Sequence, residues 1–113
     1  MSICPDKKVW PAISEEEFKP FHDHCKEFVI FYTMIGCHWC TLARPFFLKA
    51  MEQLGNECIP VHEMIYQHNQ KHCQSKEIDG YPCIIKYTPG APIEKMEKDR
   101  TLENILAFLR PTP

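Results

Sequence analysis

The sequence lacks several features, and each shortage argues against a class of protein. In its 113 residues no apolar run is long enough to cross a membrane as a helix, and there is no internal repeat, linker or low-complexity segment. The formal net charge of −2 gives no reason to expect binding to nucleic acid or to a membrane surface. The N-terminus also lacks the apolar core of a signal peptide, so we expect a cytoplasmic protein with no transmembrane segment.

The length indicates a single domain that spans residues 1–113 and contains one core. A chain of this size buries roughly two-thirds of the surface of its unfolded form. The seven cysteines are an odd number, so at least one thiol is free or pairs between chains. Because the chain has a full core and regular helix patterns, a scaffold stapled by disulfides is disfavoured. We expect a monomer.

One stretch, Phe28 to Leu54, predicts the chemistry. An apolar run rich in β-branched and aromatic residues is broken by Gly36, and Cys37 and Cys40 then open a helical pattern. A helix N-terminus carries partial positive charge and unpaired N–H groups, so it stabilises the thiolate form of a cysteine placed there. Cys37 is therefore the predicted nucleophile of a redox pair, and Cys40, one turn later, is the predicted resolving thiol.

Two other interpretations of the cysteine pair stay open. A single Cys-x-x-Cys also occurs in zinc sites, which usually need a second pair or two histidines, and this sequence has no second Cys-x-x-Cys. The pair could also be a stable disulfide in a non-catalytic binding module. We favour redox chemistry, with no metal and no cofactor.

The residues between the two cysteines can tune that chemistry. His38 is a cation or hydrogen-bond donor that would raise the thiolate character of Cys37. Trp39 is either a contact surface for partner chains or a lid that packs on the start of the helix. A stabilised thiolate in the reduced state favours a more oxidising pair.

Hydrophobic spacing predicts the element order βαβαβαββα, an α/β protein with a mixed sheet covered on both faces. Ser14 and Glu17 form a capping box at the start of the first helix, whose inner face would hold Phe18, Phe21 and Cys25. The helix after Cys37 places apolar residues on one side, namely Ala43, Phe46, Phe47, Ala50 and Leu54. We predict strands at 8–10, 28–33, 59–66, 83–87 and 93–97, and helices at 14–25, 38–54, 68–76 and from Thr101 to Pro111.

These residues together resemble the thioredoxin superfamily, over nearly the whole chain. The cysteine pair follows the central strand, and Pro45 lies five residues after Cys40, where thioredoxins have a helix-bending proline. The segment 78–82 resembles the one that carries the family's cis-proline, and the initial strand and helix favour domains of thioredoxin and protein disulfide isomerase. The resemblance implies a thioredoxin-like three-layer sandwich with a mixed central sheet.

The resemblance also implies an activity, that of a thiol–disulfide oxidoreductase of the reductase, oxidase or isomerase type. Its substrates would be protein thiols and disulfides, and a reductase or other redox partner would recycle it. The implied substrate-binding residues are Tyr81 and Pro82, which would be joined by a cis bond beside the redox pair. Cys83 follows them and is either a third redox thiol or a core residue.

One departure from the family pattern concerns the proton acceptor under Cys40. A buried acid normally sits six residues before the first cysteine, but Phe31 occupies that place. His62 and Glu63 fall near the position of the family's buried lysine and could substitute, although we expect them to be outward-facing polar residues of a strand.

Overall fold

The computed structural model describes residues 13–24 and 26–111. The strand predicted at 8–10 lies outside them, as do Cys25 and the side chain of Phe21. The described chain contains four α-helices and four strands, in this order: α1 (Glu15–His24), β1 (Phe28–Thr33), α2 (His38–Leu54), β2 (Val61–Ile65), α3 (Gln70–Ser75), β3 (Cys83–Tyr87), β4 (Glu94–Lys95) and α4 (Leu102–Phe108). Short 3-10 helices occupy Gly55–Glu57 and Tyr66–His68.

The strands form one mixed sheet in the order β2-β1-β3-β4. β1 pairs in parallel with β2, and β3 pairs antiparallel with both β1 and β4. The predicted bounds of β1 and β3 are confirmed, whereas β2 and β4 are shorter than predicted. β2 begins after Pro60, which has no backbone N–H to donate to a ladder, and ends where Tyr66 starts a 3-10 turn.

Local signals fix the helix ends. The predicted capping box is present, because the Glu17 N–H donates to Ser14 Oγ at 3.3 Å and the Ser14 N–H donates to Glu17 Oε1 at 3.1 Å. Thr101 caps α4 by accepting from the Asn104 N–H at 3.2 Å. Gly55 follows α2 with φ of 55°, a left-handed value that glycine adopts without strain. The helix-start predictions at Ser14 and Thr101 are therefore confirmed.

Two buried layers cover the two faces of the sheet, as predicted. Along β1, Val29 and Phe31 pack with α2 and α4, while Ile30 and Tyr32 pack on the opposite face with Phe18 of α1. This alternation follows from the two-residue period of a strand. The central strand is thus buried on both sides and is sandwiched between helices.

The prediction that Phe46 belongs to the buried face of α2 is wrong. Phe46 is exposed, whereas Ala43, Phe47, Ala50 and Leu54 are buried. Successive residues in a helix are 100° apart, so the neighbour of the inward-facing Phe47 is turned toward the flank of the helix. The apolar arc of α2 is therefore wider than the surface that the sheet covers.

Among residues 13–24 and 26–111, no helix combines the length and apolar character that crossing a bilayer requires.

Candidate active site

The start of α2 places the two cysteines. Gly36 has φ of +87°, a left-handed conformation in the turn between β1 and α2 that suits glycine. Cys37 is the N-cap of α2, and its Sγ accepts a hydrogen bond from the Cys40 N–H at 3.1 Å. The first turn of the helix therefore directs a backbone donor at the Cys37 sulfur, which is the arrangement that stabilises a thiolate.

A disulfide joins Cys37 and Cys40, with a Cα–Cα separation of 5.3 Å. The two sulfurs differ in environment, because Cys37 is partly exposed at the helix end while Cys40 is 2% exposed and faces the core. A partner molecule can thus approach Cys37 directly, whereas Cys40 is reached only through Cys37.

The predicted neighbours of Cys37 lie together around a depression of about 570 Å³. His38 and Trp39 are both exposed, with their ring centroids 5.6 Å apart. They line the depression together with Cys37, Tyr66 and Tyr81. The Tyr81 and Tyr66 rings are in contact, with centroids 5.7 Å apart.

The peptide bond between Tyr81 and Pro82 is cis. Pro82 is buried behind Tyr81 and is not among the side chains that line the depression. Of the two predicted substrate-binding residues, only Tyr81 therefore presents its side chain to a ligand in this depression.

The free thiols near the pair are poorly suited to nucleophilic attack. Cys73 is buried in the wall of the same depression, while Cys83 is half-buried beside Pro82. Burial raises the pKa of both the Cys73 and the Cys83 thiols above the ordinary value. At neutral pH they remain protonated, unlike a cysteine at a helix N-terminus.

A partly buried ion pair joins the redox helix α2 to β2, and the sequence did not reveal it. Arg44 of α2 donates to the Glu63 carboxylate through Nη2 at 2.6 Å and through Nε at 3.2 Å, and Thr33 Oγ1 donates to it at 2.7 Å. Phe31 lies opposite Glu63 in the β1–β2 register and stacks on Phe47 of α2. Phe31 occupies the position of the family's buried acid on β1, but the neighbouring strand β2 supplies a buried carboxylate, that of Glu63.

The prediction that His62 and Glu63 face outward is therefore wrong. The two residues are 4% and 7% exposed. Helices cover both faces of β2, so neither of two consecutive side chains reaches solvent. The available sequence signal was Arg44, a cation one turn after Cys40 at the edge of the apolar arc.

A network of polar side chains lies on the opposite face of the sheet. The Tyr32 hydroxyl lies 2.7 Å from both His72 Nε2 and the Tyr87 hydroxyl. Burial, with a smaller effect of Lys76, lowers the pKa of His72 to about 4, so this imidazole is neutral at pH 7. Burial raises the pKa of the Tyr32 and Tyr87 hydroxyls, which act as hydrogen-bonding groups.

The fold and the site together define a thioredoxin-fold domain with a cysteine pair at disulfide distance. The family model for thioredoxin matches residues 10–111. The chain therefore belongs to the thioredoxin family, and its helix-flanked mixed sheet is the thioredoxin fold. The pair is consistent with a thiol–disulfide oxidoreductase. No curated protein matches the sequence.

Several solved structures have a similar fold. The J-Trx1 fragment of ERdj5 has a TM-score of 0.81 at 17% identity and is covered over 50% of its length by 91% of this chain. The first thioredoxin domain of mouse protein disulfide-isomerase A4 has a TM-score of 0.75 at 19% identity, with 93% of this chain and 75% of that chain covered. Chloroplastic thioredoxin z has a TM-score of 0.74 at 17% identity, with coverages of 89% and 90%. At these identities the likeness is one of fold, and this chain spans half of the ERdj5 fragment.

Proposed function

We propose that the protein is a thiol–disulfide oxidoreductase that acts on protein disulfides through Cys37 and Cys40. The observation that supports this most strongly is the asymmetry of the pair. One sulfur is partly exposed at the N-terminus of α2, and the other is buried one turn further on. An exposed attacking thiol and a shielded resolving thiol are what a two-step exchange requires.

In the reducing direction, the Cys37 thiolate attacks one sulfur of a partner disulfide and displaces the other as a thiolate. The Cys40 thiol then passes its proton to the first displaced partner thiolate and attacks the Cys37 sulfur of the mixed disulfide. This attack releases the second partner thiolate, which takes a proton from water. The pair loses two electrons and becomes the Cys37–Cys40 disulfide, while the partner disulfide gains two electrons and becomes two thiols. The reverse sequence oxidises a partner dithiol.

The surrounding residues support the proposed exchange. His38, exposed next to Cys37, can donate to a thiolate, and Trp39 and Tyr81 flank the depression that opens at the sulfur. The backbone around Tyr81 and Pro82 would pair with the bound partner segment. We take the working unit to be a monomer that depends on a reductase or another redox partner to reset it.

Reduction of insulin by dithiothreitol, followed as turbidity from the released B chain, tests the proposal. The wild-type protein is expected to accelerate the reaction, and Cys37→Ser is expected to abolish the acceleration. Cys83→Ser is the matched control, since it removes a free thiol beside Pro82 and should leave the rate unchanged. Equal rates with and without wild-type protein would contradict the proposal, and zinc bound to the reduced protein would favour a metal site instead.

A further inference from the structure

We propose that a second depression, along the flank of α2, binds an apolar segment of the disulfide partner on one side of its reactive cysteine. This depression, called here the α2 groove, has a volume of about 260 Å³ and is lined by Trp39, Leu42, Ala43, Phe46 and Arg100. The inference rests on the proposed function, because it assigns a docking surface to the substrate of the Cys37–Cys40 pair.

The groove presents apolar surface that the fold leaves uncovered. Trp39, Leu42 and Phe46 are 60%, 47% and 46% exposed. Their spacing of three and four residues places them on one side of α2, so they form a continuous stripe. Leaving aromatic and aliphatic side chains half in water forgoes hydrophobic stabilisation that a bound apolar chain would recover.

The stripe is continuous with the redox site, and this continuity identifies the occupant. Trp39 lines both the α2 groove and the larger depression that contains Cys37. A polypeptide whose sulfur reaches Cys37 can therefore extend over Trp39 into the groove. The occupant that we infer is that polypeptide, not a second copy of this chain.

Helix geometry sets the spacing of the side chains that would fit. A rise of 1.5 Å per residue places Leu42 about 8 Å and Phe46 about 14 Å along the helix axis from Cys37. An extended chain advances about 3.4 Å per residue. The partner is therefore expected to carry bulky apolar side chains about two and four positions from its cysteine.

Arg100 adds an electrostatic preference at the edge of the groove. It is exposed, and in the described chain (13–24 and 26–111) it belongs to none of the ion pairs, which are Lys19–Asp23, His22–Asp23 and Arg44–Glu63. A guanidinium in that position attracts carboxylates. The partner segment is thus expected to be apolar with an acidic residue beyond it.

The experiment uses synthetic peptides whose central cysteine is joined by a disulfide to thionitrobenzoate. The test peptide carries leucine two positions and phenylalanine four positions from the cysteine on both sides, with glutamate at each end and glycine elsewhere. The control peptide has serine at the apolar positions. Reduced protein attacks the peptide sulfur and displaces the coloured thionitrobenzoate thiolate, and Cys40 then releases the peptide thiol, so the second-order rate constant is read directly.

We expect the wild-type protein to react about tenfold faster with the test peptide than with the control, equivalent to about 1.4 kcal/mol. The double variant Leu42→Ser, Phe46→Ser should lose this preference. Leu48→Ser is the matched control, because Leu48 lies on α2 with 44% exposure but outside the groove. Replacing Arg100 by glutamate should reverse the preference for glutamate over lysine at the peptide ends.

The small reagent dithionitrobenzoate, which is too short to enter the groove, separates the two levels of the proposal. No reaction with this reagent would refute the proposed function. If the protein reacts normally with this reagent and the double variant still prefers the test peptide over the control peptide, the groove proposal is refuted and the proposed function is not. Light scattering measures whether the protein dimerises. A dimer mass for the wild-type protein and a monomer mass for the double variant would show that a second copy of the chain occupies the groove, and would overturn the assigned occupant.

Discussion

The partly buried ion pair Arg44–Glu63 gives the sharpest prediction for stability. The Glu63 carboxylate is almost fully buried and receives hydrogen bonds from Arg44 and Thr33, whereas the Arg44 side chain is 34% exposed. Replacing Arg44 by methionine removes one positive charge and two hydrogen bonds from a buried carboxylate. Breaking a buried pair costs about 3–5 kcal/mol, and the partial exposure of Arg44 places this case near 3 kcal/mol.

The two single variants should lose different amounts of unfolding free energy. When Glu63 is replaced by methionine, the Arg44 guanidinium can turn toward solvent while its stem stays on the protein surface, so the loss should be about 1 kcal/mol. The double variant Arg44→Met, Glu63→Met lacks both charges of the pair and should lie within about 1 kcal/mol of wild type. The two substitutions would then be strongly non-additive.

Urea unfolding of the oxidised proteins, followed by far-UV circular dichroism, measures these free energies. For a domain of this size, 3 kcal/mol corresponds to a fall in melting temperature of about 12 °C. The control is the exposed pair Lys19–Asp23, where Lys19→Met should leave the urea midpoint unchanged. Additive effects in the double variant, or a loss below about 0.5 kcal/mol for Arg44→Met, would refute the reasoning.

Three further predictions concern the redox pair and the two core layers. Replacing His38 by alanine should make the potential more negative, by on the order of 30 mV against glutathione, because the reduced thiolate loses a stabilising donor; an unchanged potential would remove His38 from the mechanism. His72 takes up a proton below about pH 6.5 in the unfolded state but only near pH 4 in the folded state. The free energy of unfolding should therefore decrease as the pH is lowered from 6.5 to 4, by about 1–2 kcal/mol after allowance for solvent screening. The His72→Asn variant should show a flatter urea midpoint against pH, and parallel curves would contradict the assignment. Phe47→Ala should cost about 3–5 kcal/mol in urea unfolding, because Phe47 is fully buried against Phe31 with ring centroids 4.8 Å apart; a loss under 1 kcal/mol would contradict this packing.

Local patterns in the sequence predicted much of the fold. The capping residues Ser14 and Thr101, the apolar run of β1 and the turn at Gly36 depend on neighbours within a few residues, and each is found where it was predicted. The end of β2 was harder to predict from the sequence, because the apolar pattern continues to Tyr66, where the chain instead forms a 3-10 turn.

The wrong predictions concern side chains whose burial depends on tertiary contacts. Periodicity placed Phe46 inside with Phe47, since apolar spacing does not reveal how wide a surface the sheet offers to α2. The polar character of Glu63 led us to expect it outside, because the cation that neutralises it, Arg44, is 19 residues away and meets it only through the packing of α2 on β2. The depression around Cys37 likewise depends on Tyr66 and Tyr81 being brought to the helix end from separate segments.

The most direct test of the account is to identify the sulfur that attacks a partner disulfide. The Cys40→Ser variant should be incubated with a peptide disulfide, and the resulting mixed disulfide located by mass spectrometry after digestion. We expect a stable adduct on Cys37, because the resolving thiol is gone, and no adduct on Cys40 in the Cys37→Ser variant. An adduct on Cys40 in the Cys37→Ser variant, or one on Cys73 or Cys83 in place of Cys37, would contradict it.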